Sequence, residues 1–475
     1  MKNVNHKRKA IDILLVHAPI DKKYLDVNVV YAPPLALLSI QGYLENNGIN
    51  ETIKIIDGTI SSQEEIIDII NAEKPRIIGV STQLLSYKNT IEIALAGKKC
   101  NSTIILGGHQ ASHLSEEIIT NRKGIIDVVI VDNGEIPFLK LCQGIKYEDI
   151  EGITYFDKEK NRVIKNNACP IHIDESSYYA KVDFDYSIYR KKYIIKERPI
   201  ITNNYRRIVS HKGCGYRYKS RCEFCGRYGN KVSYISPVKY WQLFNDYNLD
   251  EKDFVFDVGD DFLFNQKWLS ELVAQKDKSF NKDVKIGIFG RIDEIDKTTI
   301  DLIKKIGVFD ITAGFESGDK TVIKSANKGI YDTTYYIRQT ELLLRNGIFV
   351  TPSYVLGLKG ETEQSLANTL KQAEKVKSVT KVITGYPPHE IVANLVEPLP
   401  GSPAFSMLQK YFPKKYLKQD VLEMEDLQKD YFSIVHNLNS EKEYYLFRKL
   451  LAEYGKEINK LVGVYDTEGW LRDER

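Results

Sequence analysis

Between Asp12 and Leu141 short β-branched runs alternate with helical stretches, and this alternation narrows the fold more than any other property of the chain. The runs are 13–16, 53–56, 77–81, 104–106 and 128–131. Apart from Lys54 and Ser81 they carry no polar residue, so both faces of the strands are expected to be buried, which indicates a parallel sheet in an α/β layer fold. One intervening helix is well signalled: Ser62 and Glu65 have capping-box spacing, Ile66, Ile67 and Ile70 form a stripe, and Pro75 stops it. Three turns contain glycine, at Asp57-Gly58, Gly107-Gly108 and Asn133-Gly134, where open parallel sheets hold ligands. The expectation is a doubly wound, ligand-binding domain over residues 1–149.

Residues 150–200 change character and are expected to be a hairpin and a linker, the connector between two domains. Ile153 to Phe156, a polar turn over 157–161 and Val163-Ile164 predict a hairpin, and the Tyr-rich stretch after it (Tyr178, Tyr179, Tyr186, Tyr189, Tyr193) suits an interface. A second series of βα units then begins, with strands expected at 208–209, 254–256, 286–289, 311–313, 350–354 and 392–394. Six units over residues 201–403 fit a partial parallel barrel, whose chemistry belongs at the C-terminal ends of the strands. From Ala404 to Arg475 the pattern is helical. Ser440 and Glu443 form a second capping box, Leu446, Phe447, Leu450, Leu451 and Tyr454 form a stripe, and Gly455 is expected to close the helix.

Composition sets the outer limits. A chain of 475 residues is too long for one ordinary core, and at about 150 residues per domain it suggests roughly three. Lys+Arg 67 against Asp+Glu 64 gives a net charge of +3, so overall charge draws it neither to nucleic acid nor to a membrane. The basic stretch His6 to Lys9 and the apolar run to Val16 resemble a signal peptide, but the run is short and contains Asp12, which suits a buried strand. A cytoplasmic protein without a membrane span is expected. Six cysteines, three of them between positions 214 and 225, are too clustered for a disulfide framework. In a reducing compartment such a cluster means metal or catalysis.

Cys214, Cys222 and Cys225 follow directly on the first strand of the second series. Soft thiolates select zinc or iron–sulfur clusters: structural zinc wants four ligands, whereas three thiolates leave one cluster iron open to a substrate. His211, three residues before Cys214, would complete a zinc site of one histidine and three cysteines. Position favours the cluster, because a structural metal has no reason to occupy the catalytic face of a barrel. Around the cysteines Arg206, Arg207, Lys212, Arg217, Lys219, Arg221 and Arg227 interleave with Tyr205, Tyr216, Tyr218 and Tyr228. Such a mixture binds single-stranded nucleic acid in some proteins, but charge compensation of an anionic cluster together with a solvated face is the reading adopted.

Over residues 10–405 the chain resembles the radical S-adenosylmethionine (SAM) enzymes that carry an N-terminal cobalamin-binding domain. The resemblance rests on segments in order: Ala32-Pro33-Pro34-Leu35; Gly107-Gly108-His109; Asp132-Asn133-Gly134-Glu135; the cysteine loop; Asp257 to Phe262; Arg291; Gly314 to Gly318 with Lys328-Gly329; Gly357 to Thr362; and Glu397 to Pro403. It implies a [4Fe-4S] cluster on Cys214, Cys222 and Cys225, with SAM on the fourth iron. It also implies SAM contacts from Asp260, Asp261, Arg291, Glu316 and Ser317, and cobalamin contacts around Gly107, Gly108, His109, Gly134 and Glu135. By their own chemistry Asp260 or Asp261 would serve equally to cap a helix starting near Asn265, Arg291 to form a surface ion pair, and Glu316 to hold a barrel loop.

The implied function is reductive SAM cleavage coupled to methylation of an unactivated carbon or phosphorus in a small-molecule or peptide substrate. Electrons would come from a reductase or flavodoxin-type donor, and the substrate would lie between the sheet edge and the barrel mouth. Two features depart from the family pattern. Its usual spacing is C-x3-C-x2-C, whereas seven residues separate Cys214 from Cys222; the longer loop costs only about 0.7 kcal/mol of closure entropy. The cobalt-ligating D-x-H-x-x-G motif is absent, since the first strand runs into Val16-His17-Ala18-Pro19. A radical SAM enzyme without cobalamin, performing rearrangement, oxidation or another transfer, therefore stays open beside the first reading. A tRNA methylthiotransferase would need Cys100, Cys142 and Cys169 to converge, and their expected positions in two helices and the connector argue against it.

Overall fold

The computed structural model describes residues 11–24, 32–170, 173–174, 177–187, 189, 205–216, 221–229, 231–292, 295–329 and 332–462. Tyr193, Arg217, Tyr218 and Lys219 lie outside them. The chain divides into two compact units, Met1–Val182 with Pro413–Met424, and Asp183–Phe412 with Glu425–Arg475. No helix among the described residues is long and apolar enough to cross a membrane.

The first unit is built on strands β1 (Ile13–His17), β2 (Ile53–Asp57), β3 (Ile77–Ser81), β4 (Thr103–Gly107) and β5 (Val128–Ile130), joined in parallel in the order β2-β1-β3-β4-β5. Helices α1 (Leu35–Asn46), α2 (Gln63–Glu73), α3 (Tyr87–Lys99), α4 (His109–His113), α5 (Ser115–Asn121) and α6 (Glu135–Cys142) connect them. Four consecutive buried residues in β1 and in β3 match the two-sided burial read from the runs. The capping box of α2 is closed in both directions between Ser62 and Glu65. Helix and sheet pack closely where side chains are smallest: a Cβ on Gly97 would fall 2.6 Å from Ile78, and one on Gly79 2.6 Å from Phe138.

The predicted hairpin is β6 (Ile153–Asp157) and β7 (Arg162–Lys165), and it extends the same sheet antiparallel beyond β5. The first unit thus continues past the expected boundary at residue 149, because the β5 edge is paired rather than left open. Residues 413–424 also belong to this unit, although their neighbours on both sides belong to the other. Asp420 accepts hydrogen bonds from Tyr87 Oη (2.6 Å), Arg122 Nε (2.6 Å) and Asn121 Nδ2 (2.9 Å). Glu423 takes Lys23, Lys88 and Tyr24; burial would raise its carboxyl, but these three partners override it and hold it at about 2. The C-terminal region is helical as expected, and twelve of its residues, anchored by two carboxylates, belong to the first unit.

The second unit holds six parallel strands in the order β15-β14-β13-β12-β11-β8, with β8 (Tyr205–Ile208), β11 (Phe254–Asp257), β12 (Lys285–Phe289), β13 (Val308–Glu316), β14 (Phe349–Leu356) and β15 (Val392–Leu395). A two-stranded ribbon, β9 (His211–Lys212) and β10 (Ser233–Tyr234), sits outside that order. The face carrying Ile288, Ile311 and Val350 is fully buried, as a strand layer under helices requires. Helix Glu441–Lys460 starts on the expected Ser440 box but does not stop at Gly455. Gly455 is buried, its Cβ position 3.5 Å from Leu356, so it is a packing residue rather than a cap. The buried stripe is Tyr444, Leu451, Gly455 and Ile458, and Leu446, expected inside, is 59% exposed.

Candidate active site

The ribbon holds the cysteine segment at both ends. Lys212 pairs with Ser233 and His211 with Tyr234, so the two ends of the cysteine segment are brought together beyond β8. Two glycines flank the first thiol and neither tolerates a side chain: a Cβ on Gly213 (φ +92°) would fall 2.1 Å from the Lys231 carbonyl oxygen, and one on Gly215 2.1 Å from the Phe264 ring. The Cys225 amide donates to the Cys222 carbonyl at 3.0 Å, which turns the second and third cysteines together.

His211 is not a fourth metal ligand. Its Nδ1 is 2.8 Å from Ser210 Oγ, and its Nε2 accepts the Asp261 amide at 2.8 Å. Both ring nitrogens are occupied, and burial pulls its pKa down to about 4. Gly259 makes room for the ring, since a Cβ there would fall 2.4 Å from it. Among the described residues no group of three or more His, Cys, Asp or Glu is arranged to hold a single metal ion.

Asp260 and Asp261 brace this loop rather than capping the next helix, which is capped by Asn265. Asp260 Oδ2 accepts the Gly213 amide at 2.7 Å, and Asp261 Oδ1 accepts the Arg291 amide at 3.3 Å. Arg291 is not a surface ion pair. It is buried, its Nη2 donates to the Lys328 carbonyl at 2.7 Å, and its guanidinium lies 4.0 Å over the Tyr216 ring. Tyr216 Oη in turn donates to the Asn327 carbonyl at 2.8 Å, and Asn327 Nδ2 to the Arg221 carbonyl at 3.0 Å.

Glu316 ends β13 in the left-handed region (φ +60°) beside a bulge, a conformation that costs a non-glycine residue about 1–3 kcal/mol. An ion pair holds it there: Glu316 Oε1 is 2.9 Å from Lys328 Nζ, both side chains nearly buried. The carboxylate folds back over Gly314, where a Cβ would fall 2.2 Å from Oε1. Burial works to discharge Lys328, but Glu316 and Cys222 more than offset it and keep the ammonium charged. Burial likewise pushes the Cys214 and Cys222 thiols up, while Arg227 and Arg291 near Cys214, and Lys328 and Arg291 near Cys222, work the other way. Soft donors on one loop with cations packed beside them suit an anionic iron–sulfur cluster.

Two residues are occupied elsewhere. Ser317 is fully buried, bonded to Thr369 (3.1 Å) and to the Asp319 amide (3.1 Å), so it fixes the turn after β13. Glu135, at the start of α6, accepts Ser39 Oγ of α1 at 2.7 Å and ties those helices together. Gly134 abuts Ile40, whose Cδ1 would be 3.0 Å from a Cβ at the glycine. Gly107 and Gly108 end β4: Gly108 (φ +99°) packs on Thr82, and Gly107 faces open space. His109 follows, its ring 4.8 Å from that of His113.

Several site residues carried a weaker signal. The Glu397–Pro403 segment braces the cysteine loop, with the Ala404 amide on the Glu223 carbonyl (3.0 Å) and Arg221 on the Gly401 carbonyl (3.3 Å). Arg227 donates to the Cys214 carbonyl at 2.7 Å, so two of the interleaved arginines serve the loop backbone. Cys100 ends α3, Cys142 is the last residue of α6 and Cys169 is buried against Gly152, so the three belong to different elements.

A model of the B12 binding domain matches residues 23–141, and a model of the Radical SAM superfamily matches residues 208–373. The chain belongs to the radical SAM enzymes that carry a B12-binding domain. The cofactors of this family are a [4Fe-4S] cluster, SAM and cobalamin. Two curated proteins named anaerobic magnesium-protoporphyrin IX monomethyl ester cyclase, from Rubrivivax gelatinosus and Cereibacter sphaeroides, are 24% and 22% identical over 378 and 380 residues. Each match takes in 72% of this chain but only 62% and 56% of the relative, so the chain spans less than two thirds of their length. Among solved structures, the apo form of the cobalamin-dependent radical enzyme OxsB is similar with TM-score 0.61 at 15% identity, over 96% of this chain and 72% of that one. The radical SAM methyltransferase TsrM from Kitasatospora setae, with cobalamin and [4Fe-4S] bound, gives 0.59 at 13% over 84% and 78%. At such identities the likeness is one of fold.

Proposed function

We propose that this radical SAM enzyme is a cobalamin-dependent methyltransferase acting on an unactivated carbon or a phosphorus atom of a small-molecule or peptide substrate. One juxtaposition carries the reading: Cys214, Cys222 and Cys225 share a braced loop beyond β8, in a chain whose first unit is a B12-binding domain. When bound, the cluster supplies the electron that cleaves SAM reductively and the corrinoid supplies a transferable methyl group.

The residues divide the work. Cys214, Cys222 and Cys225 hold the cluster, and Arg291 and Lys328 stand beside the thiols as counter-charges. Arg291 and Glu316 are the SAM contacts we favour, while Asp260, Asp261 and Ser317 act one step back by fixing the backbone that presents them. In the first unit Gly107, Gly108, His109 and Gly134 line the corrinoid, and Glu135 keeps α6 against α1. A reductase or flavodoxin-type donor supplies electrons in the cytoplasm.

A second reading is favoured by the curated relatives, whose printed names are those of cyclases. There the same chain would carry out an oxidation or rearrangement without moving a methyl group. Anaerobic protein supplied with hydroxocobalamin, a low-potential reductant and SAM deuterated in its methyl group separates the two. Methyltransferase function predicts deuterium in the corrinoid fraction, whereas 5'-deoxyadenosine without any such label would favour the cyclase-like reading and overturn the first.

A further inference from the structure

We propose that Nε2 of His17 is the protein's axial ligand to the cobalt of the bound corrinoid. The proposal rests on the first unit's holding cobalamin and adds a ligand that the missing D-x-H-x-x-G motif would otherwise leave unassigned.

His17 is the last residue of β1, at the point where strand order reverses and β2 and β3 lie on opposite sides of the same strand. In open parallel sheets the crevice outside that point takes the ligand. The imidazole is oriented. Its Nδ1 is 2.8 Å from Asp57 Oδ1 at the end of β2, and Asp57 is 3% exposed. The same carboxylate accepts the Thr59 amide at 2.9 Å on Oδ1 and the Thr59 hydroxyl at 2.9 Å on Oδ2. A carboxylate surrounded by donors accepts from the ring as well, so the ring hydrogen of the neutral imidazole is on Nδ1 and the lone pair is on Nε2. Among the described residues Nε2 has no hydrogen-bond partner, and the side chain remains 22% exposed.

The backbone is fixed from both neighbouring strands. The Gly58 amide donates to the His17 carbonyl at 2.8 Å, and the Ala18 amide to the Ser81 carbonyl at 3.1 Å. Gly58 permits that approach, for a Cβ there would fall 2.3 Å from the Pro19 nitrogen. A metal-binding histidine typically has its second nitrogen on a carboxylate, which sets the tautomer and raises ligand basicity. His17 and Asp57 have this arrangement before any metal is considered. His109, the other histidine at this edge, has its ring 4.8 Å from that of His113.

The test uses the full-length protein loaded with cob(II)inamide, a corrinoid without its own benzimidazole base, so that any axial nitrogen must come from the protein. Electron paramagnetic resonance should show a nitrogen triplet on the cobalt lines, converting to a doublet when the protein carries 15N-histidine. His17→Gln should retain corrinoid on gel filtration but lose the splitting. A wild-type adduct that binds cobinamide without nitrogen splitting overturns the ligand assignment alone. So does splitting that survives His17→Gln. Failure of the wild-type protein to retain any corrinoid overturns both this assignment and the cobalamin-dependent reading beneath it.

Discussion

The parallel strands of the two sheets end in opposite kinds of chemistry. At the carboxyl edge of the first stand an imidazole, a hydroxyl and glycines (His17, Thr82, Gly107, Gly108), with the carboxylate of Asp57 spent on its neighbours. The edge of the second crowds Arg291, Glu316 and Lys328 around a loop of thiols, and all three charged side chains are largely buried. A bulky ligand needs open space and a few oriented donors, whereas an anionic cluster needs fixed counter-charges whose desolvation the fold must offset. The same layer design thus serves two tasks, and what differs is what each strand end was given to hold.

The contrast is broken most severely at the thiols. Cys222→Ala should abolish cluster assembly and reduce 5'-deoxyadenosine formation at least about a hundredfold, read by iron and sulfide analysis and product chromatography; near-normal turnover would exclude the loop as the cluster site. Lys328→Met should come next, because removing one member of a buried pair strands the Glu316 carboxylate and costs about 3–5 kcal/mol. The double variant Lys328→Met/Glu316→Gln should recover part of that loss in thermal unfolding, and no recovery would mean the two charges are not coupled.

In the first unit the corresponding break is milder. Asp420→Ala leaves Tyr87 Oη and Arg122 Nε without this acceptor and Asn121 Nδ2 with only the Lys418 carbonyl, which should cost about 1–3 kcal/mol and expose residues 413–424 to limited proteolysis. Unchanged cleavage would show that these bonds do not anchor the segment. The smallest effect belongs to Asp257, fully buried at the end of β11, where burial raises its pKa to about 6 against the hydrogen bonds of the Ser210 and Gly259 amides. A raised pKa means that the neutral form stabilises the fold below about pH 4 and that this contribution is lost as pH rises through 6. Asp257→Asn should therefore raise the melting temperature at pH 8 relative to the parent and much less at pH 5. An equal shift at both values would contradict the burial argument.

The sequence made the framework legible because two-sided apolar runs and capping boxes act locally: the strands of both sheets and the starts of helices Gln63–Glu73 and Glu441–Lys460 follow from nearby residues. Gly455 and Leu446 were misjudged because helix ends and buried stripes are decided by the neighbouring element, here Leu356 of β14. At the site the cysteines were visible from their spacing, yet the bracing of their loop was not. His211 has the right spacing for a zinc ligand, and only the fold reveals that its second nitrogen is taken by the Asp261 amide, fifty residues away. Ser317 and Glu135 illustrate the same limit, since a polar residue in a motif reads alike whether it meets a cofactor or, as these do, another helix. The anchoring of residues 413–424 depends on pairings across hundreds of residues and left no local trace.

The central claim is that the thiols of Cys214, Cys222 and Cys225 support reductive cleavage of SAM. Anaerobically reconstituted protein given SAM and a strong reductant should contain about four irons and four sulfides per chain and release 5'-deoxyadenosine, with both lost in the triple Cys→Ala variant. A stoichiometric zinc content in place of iron, with no 5'-deoxyadenosine under the same reductant, would contradict it.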